Sequence, residues 1–280
     1  MRGENPVPRA TLDEERHFLN KWQMYLAMQD AQPKGLHLPA TCLLSQVTPD
    51  HFEQAPAWYI KPVETWGGNL ISRVTKVASA TWTLQPTVGT ALTFARAADV
   101  LSTLLTMYLP EQTIVQQAAP VLTLSGRPFD VRVLCQRDDD DAWLVAGHLA
   151  RVGAENSIVS NIGTGHGEVM PTQHLLQQVY QNRELSGRVL RRLRRISLAV
   201  CHILDTYAEF DEVGIDFGLD SHGRIWLFEV NTNDRLGKPS HELFLHLPNR
   251  RIYDEIEHRA KRREERWFRQ LLRDVERHHR

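Results

Sequence analysis

The sequence predicts an α+β protein on three observations. Short β-type runs alternate with helical ones, two later segments read as antiparallel pairs, and residues 250–280 read as one amphipathic helix.

The elements follow in order. Over 12–28, Phe18, Leu19, Trp22, Tyr25 and Leu26 fall at helical spacing, and Gln32-Pro33-Lys34-Gly35 stops the helix. Residues 57–61 and 69–77 read as strands, 99–108 as a helix closed by Pro110, and 114–117 as a return to extended structure. Residues 129–136 and 143–152 form an antiparallel pair joined across the acidic run 138–141. That run reads as a solvated turn, because four adjacent carboxylates lack the spaced ligands of a calcium loop. A helical stretch covers 172–207, and 212–219 with 224–231 makes a hairpin around Asp220-Ser221-His222-Gly223. In the tail, Ile252, Ile256, Trp267, Leu271 and Val275 lie near one face, and the pairs Glu255/Arg259 and Glu257/Lys261 sit four apart, so its charge reads as a solvated face.

Composition narrows the function. The 280 residues are 42% hydrophobic and 24% charged, the mix of a soluble globular protein. A net charge of -1 supplies no bulk basic field for nucleic acid or an anionic membrane, so neither partner is expected. The first sixteen residues hold no apolar signal core and no later run approaches a membrane span, which makes the cytoplasm the expected compartment. Cys42, Cys135 and Cys201 are far apart and never in a CxxC pair, arguing against a disulfide framework or a zinc site. His148, His166, His222 and His241 lie at no metal-ligand spacing and none adjoins a nucleophilic serine, which removes hydrolase chemistry.

The most informative segments are Gly214-Ile215-Asp216-Phe217-Gly218-Leu219-Asp220 and Trp226-Leu227-Phe228-Glu229-Val230-Asn231. Side chains alternate along a strand, so Glu229 and Asn231 share a face and hairpin pairing can bring Asp216 across to them. Two carboxylates and an amide suit magnesium, which binds between carboxylates and nucleotide phosphates. The alternative is an ordinary hairpin with polar residues on its solvent face. Upstream, Lys61 ends a strand just before Glu64-Thr65-Trp66-Gly67-Gly68-Asn69, where a lysine and backbone amides could both face phosphates. A plain Gly-Gly turn is the competing reading. A Walker-type GxxxxGK[ST] loop is absent, which excludes a P-loop enzyme.

In order along the chain, from about Asn20 to Asp234, these features resemble the ATP-grasp superfamily, and within it the endospore coat-associated YheC/YheD family. The resemblance implies an ATP-grasp fold, in which two α+β subdomains grip ATP between antiparallel sheets. It implies an entry segment over 1–40, a central lid over 41–115, a C-terminal subdomain over 116–249 and the helix 250–280, with the usual N-terminal pre-ATP-grasp domain expected to be absent.

Site residues follow by the same likeness. Lys21, in Asn20-Lys21-Trp22, is similar to the entry lysine that contacts the nucleotide, and Lys61 to the lysine that holds the α/β phosphates. Thr65, Gly67 and Gly68 occupy the place of the phosphate-covering loop, although Trp66 stands where a small residue is usual. Gln116, Gln117 and Ala118 look like the adenine-holding hinge. Arg132, Arg151 and Asn161 match catalytic positions near the γ-phosphate or the activated carboxylate, and Asp216, Glu229 and Asn231 match the metal triad.

What the resemblance implies for function is a carboxylate–amine ligase using ATP and Mg2+, working through an acylphosphate and releasing ADP. Its other substrates would be a carboxylate and an amine, with a peptide or protein as acceptor and a partner protein standing in for the absent N-terminal domain. A kinase that stops at phosphoryl transfer, and a non-catalytic nucleotide-binding protein of a spore layer, are the alternatives. Spore association follows from the family alone.

Overall fold

The computed structural model describes residues 9–65, 68, 70–78, 81–163, 166–232 and 241–278. The chain runs α1 (Lys21–Ala31), β1 (Leu36–His37), β2 (Thr41–Leu43), α2 (Pro49–Glu53), β3 (Ala57–Pro62), β4 (Ser72–Ala78), β5 (Thr81–Pro86), β6 (Leu92–Phe94) and α3 (Ala97–Met107). It continues through β7 (Thr113–Gln117), β8 (Thr123–Leu124), β9 (Arg127–Arg137), β10 (Trp143–Val152), β11 (Glu168–Pro171), α4 (Thr172–Tyr180), α5 (Arg183–Leu204), β12 (Glu212–Leu219), β13 (Ile225–Thr232) and α6 (Arg251–His278).

Two sheets result. The smaller has the order β2-β7-β3-β4-β5-β6 with antiparallel pairings. In the larger, β1-β13-β12-β9-β10-β11, β1 joins β13 in parallel, the other neighbours are antiparallel, and β8 pairs with β9. One face of the large sheet packs Val131, Val133, Cys135, Val213, Ile215 and Phe217 against residues of α1, α4 and α5, forming the main core. A second core holds Phe52, Trp58, Val74, Trp82, Leu84, Val100 and Leu104, where α2 and α3 cover the small sheet. On the other face of the large sheet, Leu134 and Leu149 pack with Phe244, Leu247 and Ile256 beneath α6.

Three local features depart from the sequence pattern. The first helix begins at Lys21, because the Asn20 side chain accepts from the amides of Trp22 and Gln23 at 3.1 and 3.0 Å and so fixes the N-cap. The expected helix over 172–207 is broken in two: Gln181 adopts the left-handed region at φ 48 and Asn182 caps the next helix through the Leu185 amide. The acidic run is not simply solvated, since Asp139 pairs with Arg262 and Arg266 of α6, each at 2.9 Å. The pairs Glu255/Arg259 and Glu257/Lys261 do form along that helix, at 3.7 and 3.3 Å.

Candidate functional site

The site grows out of the β12–β13 hairpin. Asp216 pairs with Glu229 and Gly214 with Asn231, while on its other edge β12 sets Asp216 beside Arg132 of β9. Two residues back along β9, Asp130 pairs with Arg151 of β10. The two-residue period of strands therefore gathers Asp130, Arg132, Arg151, Asp216 and Asn231 on one face. A bulge then changes the count: Phe217 pairs with Leu227, so Phe228 is an extra residue. Leu227 and Val230 stay buried while Phe228 and Glu229 both line the cavity. Gly218 permits this, since a Cβ there would lie 2.3 Å from the Phe228 ring.

Asp130, Arg132, Arg151 and Asp216 are buried, none more than 6% exposed. Arg132 grips both carboxylate oxygens of Asp216, with its Nη2 donating to Oδ2 at 2.8 Å. Arg151 donates to the two oxygens of Asp130 at 2.8 and 2.7 Å and reaches Asp216 Oδ2 at 2.8 Å. The Ser160 hydroxyl donates to Asp130. Two cations and two anions thus balance in a low-dielectric environment, where such bidentate pairs are strongest. Burial alone would raise the Asp216 carboxyl, but the adjacent Arg132 and Arg151 hold it down to about 2, so it is an anion at neutral pH.

Facing this network across a cavity of about 240 Å³ is the small sheet. Lys61 of β3 donates to Gln116 Oε1 at 2.7 Å, and the Gln116 amide donates to Thr41 Oγ1 at 3.2 Å. Burial lowers the Lys61 amine to about 8, with Glu229 opposing and Lys21 adding to the shift. Lys21, in the first turn of α1, donates to the Thr65 carbonyl and lies 3.2 Å from Glu229 Oε1. Cations from both sheets and from α1, carboxylates from the hairpin, and an apolar wall including Ile71, Val121 and Phe228 enclose one space.

A family model described as YheC/D like ATP-grasp matches residues 12–260. The chain belongs to this ATP-grasp family. Two relatives come from Bacillus subtilis (strain 168). Endospore coat-associated protein YheD is 26% identical over 250 residues, covering 85% of this chain and 52% of the relative. Endospore coat-associated protein YheC is 22% identical over 223 residues, covering 78% of this chain and 60% of the relative. The chain thus spans about half the length of the curated relatives it matches. The two sheets and the cavity between them form the ATP-grasp fold.

Most of the sequence-derived residues meet at the ATP-grasp cavity. Lys21, Lys61, Thr65, Gly68, Gln116, Gln117, Ala118, Arg151, Asn161, Asp216 and Glu229 line it. Gly67 lies outside the described residues. Asn231 stands next to Asp216, its amide donating weakly to Asp216 Oδ2 at 3.5 Å and to the Gly214 carbonyl at 3.4 Å. Arg132 lies behind Asp216, away from the cavity wall, because its guanidinium is used to hold that carboxylate. The amides of Gln117 and Ala118 already donate to the carbonyls of Ala40 and Ala57 at 2.8 and 2.9 Å. The next residue, Ala119, lines the cavity, and its amide has no backbone acceptor among the described residues.

Sequence reasoning missed Asp130, Ser160, Tyr59, Arg73, Ala119 and Phe228, all on the cavity. Asp130 and Tyr59 carried a usable signal, each lying two residues before a chosen cation on the same strand. Phe228 did not, because strict alternation puts it opposite Glu229 and only the bulge turns both outward. Arg73 required the β3–β4 register, which sets it opposite Tyr59.

Proposed function

We propose that this chain is an ATP-dependent, Mg2+-requiring carboxylate–amine ligase that forms an amide with release of ADP. The observation that carries this reading is the convergence of Lys21, Lys61, Arg151, Asp216 and Glu229 on one cavity between the two sheets. Membership of the ATP-grasp family supports the nucleotide and the general reaction type.

The donor chemistry fits a small hard cation. Asp216 spends both bonds to Arg132 and one to Arg151, which leaves a lone pair on Oδ1. Asn231 donates through its nitrogen and so keeps its carbonyl oxygen, while Glu229 has Lys21 as its ionic partner. Asp216, Glu229 and Asn231 would therefore hold Mg2+, which when bound neutralises phosphate charge. Arg132 acts through Asp216 as a positioning residue.

The protein's part is orientation and charge neutralisation. Lys61 and Lys21 hold the polyphosphate, and the segment with Thr65, Gly67 and Gly68 covers it. Gln116, Gln117 and Ala118, with the amide of Ala119, meet the adenine edge. Residues 41–115 serve as the lid. Beside Arg151 and Asn161 a carboxylate oxygen of the acceptor attacks the γ-phosphorus, the β–γ bridging P–O bond breaks, and ADP leaves. An amine then attacks the acyl carbon, inorganic phosphate departs as the C–O bond breaks, and the nitrogen loses a proton. Exclusion of water by the closed cavity limits loss of the acylphosphate to hydrolysis.

The names of the relatives extend to this chain, within the same proposal, an association with the spore coat, and the acceptor proposed with it is a peptide or protein. Among the described residues no helix is long and apolar enough to cross a membrane. The test is ADP release from Mg-ATP against free amino acids and short acidic peptides, with products weighed by mass spectrometry. Glu229→Gln is expected to lower turnover at least about a hundredfold, by loss of a charge that acts on the transferring phosphoryl group. An added-residue mass supports the ligase, an added-phosphate mass assigns a kinase, and ATP bound without turnover across the panel overturns both.

A further inference from the structure

Arg73 is the cavity cation that neither the family pattern nor the metal hairpin accounts for. It sits on β4 directly opposite Tyr59 of β3, whose other neighbour is Gln116 of β7. Across the next pairing, β5 places Gln85 beside it. The row across the lid sheet thus reads Gln116, Tyr59, Arg73, Gln85 and contains no acid. Lys21 lies against Glu229, and Arg151 lies against Asp130 and Asp216, whereas no carboxylate pairs with Arg73 among the described residues. Its Nε is buried without a hydrogen-bond acceptor.

The surroundings aim this charge into the cleft. The Tyr59 ring carries Lys61 Nζ 5.6 Å and Arg73 Cζ 5.8 Å from its centroid. The Tyr59 hydroxyl donates to the Ile158 carbonyl at 3.3 Å, and Ile71, Ile158 and Val159 pack together beside it. The lid and the loop that follows β10 therefore already touch here, and Arg73 lines the space they enclose. A guanidinium with a desolvated, unpaired N–H is costly unless an anion completes it. Arginine also suits the task better than lysine: at a wall where the Lys61 amine titrates near 8, a guanidinium keeps its charge and offers a planar fork to two oxygens.

We infer that Arg73 is a further oxyanion-binding residue of the cleft, taking a carboxylate or phosphate group of the ligand gripped between the two sheets. The inference rests on the cavity being the substrate site, as in the proposed function, and adds a recognition element on the lid. The two sources of such an oxyanion are the nucleotide's phosphates and a carboxylate of the acceptor.

Isothermal titration of the full chain, wild type, R73Q and R73K, with Mg-ATP, adenosine, pyrophosphate and L-glutamate as probes, tests this. R73Q is expected to weaken at least one anionic probe by about tenfold or more, the worth of one charge-assisted hydrogen bond. R73K is expected to fall between R73Q and wild type, and adenosine binding to stay unchanged. Loss confined to ATP and pyrophosphate identifies a phosphate site; loss confined to glutamate identifies a carboxylate site. The proposal is overturned if R73Q, with a wild-type melting curve, binds every anionic probe as the wild type does, or if the wild type binds no anionic probe. Should R73Q melt early, R73K decides, since unchanged affinity for all anionic probes with the shorter cation also removes a role for the guanidinium fork. Failure of wild type to bind ATP and adenosine would instead sink the nucleotide reading, and pyrophosphate and glutamate would still decide Arg73.

Discussion

The same face of the large sheet carries two buried polar clusters, and they have opposite fates. Near the hairpin bulge, Asp130, Arg132, Arg151 and Asp216 are paired among themselves, and all but Arg132 open on the cavity. Further along β9 and β12, Gln136 donates to Glu212 at 2.8 Å, and His241 bridges Glu212 at 2.9 Å and Glu257 at 3.1 Å. There α6 closes the cluster, with Arg259 donating to Gln136 at 3.3 Å and Arg263 4.0 Å from Glu212. Leu134, Leu149, Phe244 and Ile256 separate the two as an apolar spacer. Strands and register are shared, so the covering layer, a cleft in one case and a helix in the other, decides which cluster opens on a cavity and which fastens the fold.

The largest effect is expected at the open cluster. Asp216→Ala strands the buried guanidinium of Arg132 and removes one partner of Arg151, and breaking a buried pair from one side costs about 3–5 kcal/mol. Urea unfolding of the variant measures it. A loss below about 1 kcal/mol would mean that water reaches the network freely, and the contrast between a dry pre-paired wall and a ligand-seeking one would fail.

A second, somewhat smaller effect comes from Lys61 across the cavity. Its folded value of about 8 lies below the usual amine value near 10.4, so between these values the unfolded chain binds more protons, and stability without ligand rises with pH. A bound polyphosphate restores the charge. ATP affinity should therefore fall above about pH 8, by up to about tenfold per pH unit for one linked proton. Calorimetric titration from pH 7 to 9.5 reads the slope, and Lys61→Arg should flatten it. A flat wild-type profile would remove Lys61 from the phosphate site.

How much of this was legible follows from where each signal lives. The Asp216–Glu229–Asn231 face was readable, because strand alternation and a hairpin turn fix it locally. Lys61 and Lys21 were singled out through family likeness, and both line the cavity. The α4–α5 break was hidden, since one left-handed residue, Gln181, interrupts an otherwise continuous apolar stripe. The bulge at Phe228 and the unpaired state of Arg73 depend on which strands pair and in what register. Asp139 looked solvated because its partners on α6 lie more than a hundred residues away.

The closed cluster offers a test of its own sign. Burial lowers the His241 imidazole, but the hydrogen bonds and charges of Glu212 and Glu257 outweigh it and raise the value above the usual one. A raised value adds stability that is complete below about pH 6.5 and lost as pH climbs through the folded value. The urea midpoint should thus drop on going from pH 6 to 8, below the range where Lys61 acts in the opposite sense, and His241→Gln should reduce that drop. Nucleotide affinity at constant pH should not respond to His241→Gln. If it does, the spacer does not insulate the two clusters.

The smallest effect is expected where α6 meets the acidic loop. Asp139 faces Arg262 and Arg266 at 2.9 Å, yet it is 56% exposed and each arginine 43%, so solvent screens both pairs. Arg266 also donates to the Asp139 carbonyl at 2.6 Å, a bond that substitution of the side chain leaves in place. Asp139→Asn should cost less than about 1 kcal/mol in urea unfolding, and still less at high salt. A cost rivalling that of Asp216→Ala would transfer the anchoring of α6 from the buried histidine cluster to its surface arginines, and would leave the two polar clusters of the sheet with no division of labour.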